Sequence, residues 1–128
     1  MNFPKELRYT KTHEWVRRDG KQLTVGITDY AQKEISDVVF VELPKMNQEG
    51  KAQKPLAVVE SVKAAFDIYS PATGKVHKVN ERIESDPGLV NQDCYGDGWF
   101  FVIEMAADSD WDALMTSETY EKHLKTGV

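Results

Sequence analysis

The chain has 128 residues, 41% of them hydrophobic, which suits one globular domain over 1–128 and is too short for two ordinary ones. A net charge of −5, with Lys and Arg scattered rather than gathered into a stripe, lacks the electrostatic footprint of a nucleic-acid binder and leaves proteins or small molecules as partners. The lone Cys94 makes no internal disulfide, and there is no apolar leader, Arg- and Ser-rich import segment or membrane-length apolar stretch, so a cytoplasmic location without membrane contact is expected.

Trp15-Val16 and Leu23-Thr24-Val25 flank Asp19-Gly20, a dipeptide that tolerates positive φ, and this predicts an opening hairpin. Thr28 is a candidate N-cap for a short helix near 28–36, where Tyr30, Ala31, Glu34 and Ile35 fall at helical spacing and Tyr30, Ala31 and Ile35 form the apolar face. "DVVFVELP" reads as a strand closed by Pro44, followed by the polar loop "KMNQEGKAQK". From Pro55 the strands "PLAVVESV", "AFDIYSP" and "GKVHKVN" follow, and a central hairpin over 55–79 presents Lys63 at its tip. A second loop, "ERIESDPGLVNQDCYGD", leads into the strand "GWFFVIEM". Strand-loop-strand thus occurs twice, over 38–60 and 75–104, and two such antiparallel halves suggest a small flattened barrel or sandwich. The tail, about 108–125, carries Trp111, Leu114, Met115, Tyr120 and Leu124 at roughly helical spacing, with Asp108 or Ser109 as cap. The four Met and three Trp read as core.

A solvated lysine has a reference pKa near 10.4 and is a poor nucleophile; enzymes that use lysine as base or Schiff-base former bury it to depress that value. A hairpin tip does the reverse, so Lys63 suits an amine that another enzyme acylates better than it suits a catalyst. Judged by spacing alone, the plainer reading of one solvated turn residue among 16 Lys and Arg outweighs it. His13, His77 and His123 lack neighbours at ligand spacing, so no metal site is expected. Cys94 has no evident His partner and reads as inert, and "GDG" at 96–98 is turn chemistry rather than a phosphate loop.

"HEW…VGIT", "VVFVELP", "VVESVKAAFDIYSPATGKV" and "LVNQDCYGDGW", in that order and spacing, resemble the H protein of the glycine cleavage system, from about residue 7 to residue 124. The resemblance implies a mainly β, barrel-sandwich hybrid fold of the lipoyl/biotinyl type. It implies a non-catalytic lipoyl carrier, with lipoate as an N6-amide on Lys63 attached by a lipoate ligase or a lipoyl/octanoyl transferase. The arm would pass the aminomethyl group of glycine from a pyridoxal-phosphate glycine decarboxylase (P protein) to a tetrahydrofolate-dependent aminomethyltransferase (T protein). Reoxidation by a dihydrolipoyl dehydrogenase (L protein) would follow. A tether of roughly ten bonds reaches on the order of 14 Å from the backbone. It raises the effective concentration of the sulfur at each docked site.

By the same resemblance Thr12, Glu14 and Asp67 match positions lining a cleft that parks the loaded arm, and a monomer is implied. Glu42, Glu60 and Asp67 are candidates for an acidic face that steers docking, against the plainer reading of a solvated sheet. Ile35-Ser36, Phe66 and Cys94 depart from the family's commoner Leu-Gly, small residue and proline, and Phe66 puts in doubt the surface shape near the lysine. Among rivals, a biotin acceptor would flank its lysine with methionines rather than Val62 and Ala64, and a 2-oxoacid dehydrogenase acyltransferase would add linkers and a catalytic domain. A free-standing enzyme has no nameable nucleophile and base here. A lipoyl donor role toward other enzymes, which some family members have, stays open beside glycine cleavage.

Overall fold

The computed structural model describes residues 1–126. β1 (Arg8–Tyr9) runs antiparallel to β2 (Glu14–Asp19), which turns back through Gly20 into β3 (Gln22–Ile27). Gly20 has φ +63°, the left-handed value that the predicted turn requires of one of its residues. α1 (Asp29–Ile35) starts where expected, because the Thr28 hydroxyl accepts from the Ala31 amide at 3.2 Å and satisfies an otherwise orphaned helix donor.

β4 (Val38–Glu42), β6 (Pro55–Ser61) and β7 (Ala65–Tyr69) form a three-stranded sheet in the order β4-β6-β7. β5 (Glu49–Gly50), β8 (Gly74–Val79) and β9 (Phe101–Met105) complete a six-stranded sheet in the order β1-β2-β3-β9-β8-β5. The lysine hairpin is therefore β6-β7 alone, shorter than the 55–79 expected, because β8 crosses to the other sheet and pairs with β9. The repeated strand-loop-strand layout corresponds to two antiparallel pairs, β4-β6 and β8-β9, one in each sheet. The two sheets face each other over a core in which Val16, Val25, Val41, Val59, Ile68 and Phe101 are buried. This is the packing that short one-sided strands need, and it gives the barrel-sandwich fold anticipated from the resemblance.

Four short elements were not expected, three of them inside the predicted loops. β1 and β5 are two residues each, and α2 (Arg82–Ser85) and α3 (Leu89–Gln92) fold the segment before β9. None is long enough to show periodicity. The C-terminal tail is two helices, α4 (Ser109–Asp112) and α5 (Ser117–Thr126), instead of one. Between them Met115 leaves the helical path to exchange both backbone hydrogen bonds with Tyr9, at 2.8 and 2.9 Å. Asp108 stands at the start of α4, and its side chain makes no capping bond. α5 then lays Tyr120 flat on Tyr9, with ring centroids 4.9 Å apart, and a second cluster of Leu7, Tyr9, Trp15 and Tyr120 closes that end. Two of the methionines read as core are on the surface: Met1 and Met46 are exposed, while Met105 is buried.

Trp15 is fully buried, its indole N–H donates to the Cys94 carbonyl at 2.7 Å, and its ring lies across Gly26, its cross-strand partner. A Cβ on Gly26 would stand 2.6 Å from that ring. The indole is pinned and cannot yield, so Gly26→Ala should cost about 1–3 kcal/mol as an overpacked site. Urea unfolding of the variant should show a lower midpoint at unchanged slope.

Candidate functional site

The turn that carries Lys63 is built from Ser61. Its amide donates to the Ala64 carbonyl at 2.9 Å, and its hydroxyl oxygen accepts from the Lys63 amide at 3.1 Å and the Ala64 amide at 3.4 Å. The backbone is thereby satisfied by the turn and by Val62 N–H donating to Asp37. Val62 and Lys63 are left exposed at the tip. The Lys63 ammonium donates to the Glu34 backbone carbonyl at 3.1 Å, one of the α1 carbonyls without a partner inside the helix. α1 is held in place for this contact by Asn91 of α3, whose amide donates to the Ser36 carbonyl at 2.9 Å and whose oxygen accepts from the Val38 amide at 2.9 Å.

Beside the lysine a cleft of about 290 Å³ opens between α1 and β7. Its apolar lining includes Ile27, Ala31, Ile35, Phe66 and Ile68, and its polar groups are Thr12, His13, Glu34 and Asp67. Neither Lys nor Arg lines it. Asp67 and Thr12, both singled out from the sequence, are brought together here. Glu14 is not: it is fully buried and borders a separate cavity of about 350 Å³, which Thr12 also lines, with Tyr69, Asp110 and Leu114. One Glu14 carboxylate oxygen accepts from the hydroxyls of Thr10 and Thr12 and the other from the Tyr69 amide at 3.1 Å. Burial raises its pKa from the ordinary 4.5, against the opposing pull of those donors.

Sequence reasoning missed His13 and Glu34 as cleft residues. His13 sits at φ +74°, and its Nδ1 shares a 2.8 Å hydrogen bond with the Tyr120 hydroxyl, which in turn meets Thr28 at 2.8 Å. Burial and the neighbouring His123 push the His13 pKa below 6.5, while Glu34 pulls it back up. A tyrosine 107 residues away leaves no local signal. Glu34 did have one, since it shares the helical stripe of Tyr30 and Ala31. His77 is exposed, and among the described residues no group of three or more His, Cys, Asp or Glu is placed to hold a metal ion. Cys94 is buried and its thiol is pushed up to about 12, chiefly by burial, which leaves it unreactive. Glu42, Glu60 and Asp67 are all exposed on the three-stranded sheet, with Phe40 beside Glu60 and Asp67 across Val58 from Glu42. Among the described residues no helix is long and apolar enough to cross a membrane.

The model of the family described as "Glycine cleavage H-protein" matches residues 7–127. The chain belongs to that family. A glycine cleavage system H protein of Endomicrobium trichonymphae is 50% identical over 121 residues, covering 94% of this chain and 98% of its own. That of Halothermothrix orenii is 47% identical over 125 residues, covering 98% of each. The crystal structure of a glycine cleavage system H protein from Mycobacterium marinum superposes with a TM-score of 0.86 at 31% identity, covering 98% of this chain and 100% of that one. The likeness covers nearly the whole chain, so the hairpin belongs to the shared fold rather than to an added segment.

Glu14 binds its proton more tightly in the folded chain than in the unfolded one, so its contribution to stability is full below about pH 4.5 and is lost as pH rises through the folded value. Glu14→Gln keeps the shape and carries no charge at any pH. The stability of the native chain relative to this variant should therefore fall as pH rises from 4.5 toward 8 in paired urea titrations; a constant difference would show that Glu14 titrates as in the unfolded chain.

Proposed function

We propose that this chain is the lipoyl-bearing carrier of a glycine cleavage system, with lipoate joined as an amide to Lys63. It would take the aminomethyl group of glycine from the decarboxylase to the aminomethyltransferase, and dihydrolipoyl dehydrogenase would reoxidise it. The family is that of the carrier subunit and not of a catalyst. One observation carries the assignment to Lys63: its exposed amine stands on a turn whose amides are all hydrogen-bonded, and it reaches Glu34, which lines a largely apolar cleft. A modifying enzyme needs a reachable amine and a rigid mount, and the β6-β7 hairpin with Ser61 supplies both. Lipoate fits this site, because its alkyl chain matches the apolar lining of Ile35, Phe66 and Ile68. Bound, it supplies a dithiol that accepts the one-carbon unit and can be reoxidised.

The chain's own residues position and protect. After acylation the lysine nitrogen keeps one N–H, enough to donate to the Glu34 carbonyl that already receives it. Thr12, Glu14 and Asp67 act as a set in this reading. Glu14 accepts the Thr12 hydroxyl hydrogen and so turns the lone pairs of that oxygen toward an incoming donor, while Asp67 lines the cleft directly. The decarboxylase, the aminomethyltransferase, the dehydrogenase and a lipoate ligase or lipoyl/octanoyl transferase are the partners, met in the cytoplasm by a single carrier domain. Glu42 and Glu60 beside the hairpin would steer that docking by charge.

Incubation with lipoate ligase, ATP and lipoate should add one lipoyl group to the native chain and none to Lys63→Arg, read by intact mass. The modified chain alone should then support glycine-dependent CO2 exchange with a decarboxylase. A mass gain retained in Lys63→Arg would move the attachment to another lysine.

A further inference from the structure

We infer that Asp19 is a modification site: its side-chain carboxyl cyclises onto the Gly20 amide nitrogen and reopens as isoaspartate, a reaction that the chain's other Asp-Gly pair, Asp97-Gly98, is folded to resist. This is independent of the carrier reading. In both pairs the glycine leaves the main-chain nitrogen unshielded by a side chain, so the fold decides between them. Asp19 ends β2, Gly20 opens the two-residue turn into β3, and both are exposed. Among the described residues the Gly20 N–H donates to no acceptor, while its carbonyl is held by the Arg18 Nε–H at 2.9 Å. A Cβ on Gly20 would meet no atom within 4 Å, so nothing crowds the residue. Asp19 and Gln22 form the last pair of the ladder, and fraying of that pair alone lets the Asp19 backbone turn its carboxyl toward the nitrogen.

Asp97-Gly98 is the reverse. Gly98 is buried, its amide donates to the Asp93 carbonyl at 2.9 Å, and a Cβ there would stand 2.7 to 2.9 Å from backbone atoms of Leu89, Val90 and Asp93. Asp97 is tied at three points: its amide to the Asp93 carboxylate at 2.9 Å, its carbonyl to the Asn80 side chain at 2.7 Å and its carboxylate to Arg82 at 3.7 Å. The nitrogen is spent, and the rotation that closes the ring would break these contacts. At Asp19 the Gly20 nitrogen bonds to the side-chain carboxyl carbon, the carboxyl C–OH bond breaks, and the hydroxyl leaves as water with the amide proton. Water then opens the five-membered imide. Opening at the side-chain carbonyl restores aspartate. Opening at the main-chain carbonyl breaks its bond to nitrogen and leaves isoaspartate, with a free α-carboxylate and one methylene added to the backbone. That methylene enters the end of β2 and displaces the Gly20 carbonyl from Arg18, the side chain that also pairs with Asp108 at 3.0 Å at the start of α4.

The experiment incubates the full chain in oxygen-18 water, folded and in urea, and follows label at each aspartate by digestion and mass spectrometry, since every passage through the imide and back leaves an oxygen-18 atom in the residue. The folded chain should take up label at Asp19 at least about fivefold faster than at Asp97, the factor that one retained hydrogen bond on the Gly98 amide is worth. Urea should bring the two sites to similar rates. Gly20→Asn places a residue type suited to this turn and adds a Cβ beside the nitrogen; it should slow labelling at Asp19 and leave Asp97 unchanged. Equal labelling of the two sites in the folded chain, label at Asp97 alone, or a preference for Asp19 that persists in urea overturns the inference. So does labelling of Asp19 at the native rate in Gly20→Asn.

Discussion

Among the described residues, one buried carboxylate joins the two sheets. Glu14 begins β2 of the six-stranded sheet, holds Thr10 and Thr12 on one oxygen, and receives the Tyr69 amide at the end of β7 on the other. Burying an ionisable group without a counter-ion is costly, and it persists here because every lone pair that faces protein meets a donor. The geometry it fixes is the separation of the 10–12 segment from the end of β7, next to the cleft that Thr12 also lines. β7 in turn fixes the hairpin, and the hairpin fixes where the lysine amine emerges.

The parts of this arrangement that follow from neighbours in the chain are the parts legible in the sequence. Thr28 announces its helix because a cap acts over three residues, and Asp19-Gly20 announces its hairpin because a turn acts over two. Lys63 is conspicuous for the same reason, being flanked by two strand-like runs. Glu14 was visible as part of "HEW", yet glutamates are rarely buried, and nothing local says that this one is. His13 depends on Tyr120, the break between α4 and α5 depends on Tyr9, and the placement of α1 depends on Asn91. Each is a contact across tens of residues or more that only the closed fold creates. The two-residue strands β1 and β5 carry no period to read, and they exist because β2 and β8 offer them edges.

The departures from the family's commoner residues divide cleanly by place. Ser36 adopts φ +65°, the left-handed conformation that a glycine would take without penalty, and its carbonyl is held by Asn91. Phe66 lines the cleft, so the doubt it raised from sequence becomes a concrete change: an aromatic wall where a small side chain would leave space. The lysine turn is untouched by either.

Cys94 offers the last consequence. On the proposed function the chain would bear a vicinal dithiol and face a hazard from its own sulfur, because any ionised thiol on its surface would attack the ring disulfide and trap it as a mixed disulfide. Here the Cys94 sulfur is folded inward, the residue's carbonyl is spent on Trp15, and its ionisation is suppressed by burial and by the nearby Asp29 and Asp93 carboxylates. On the proposed function, a dithiol carried on Lys63 would be insulated from this thiol by the same tryptophan packing that closes the N-terminal hairpin.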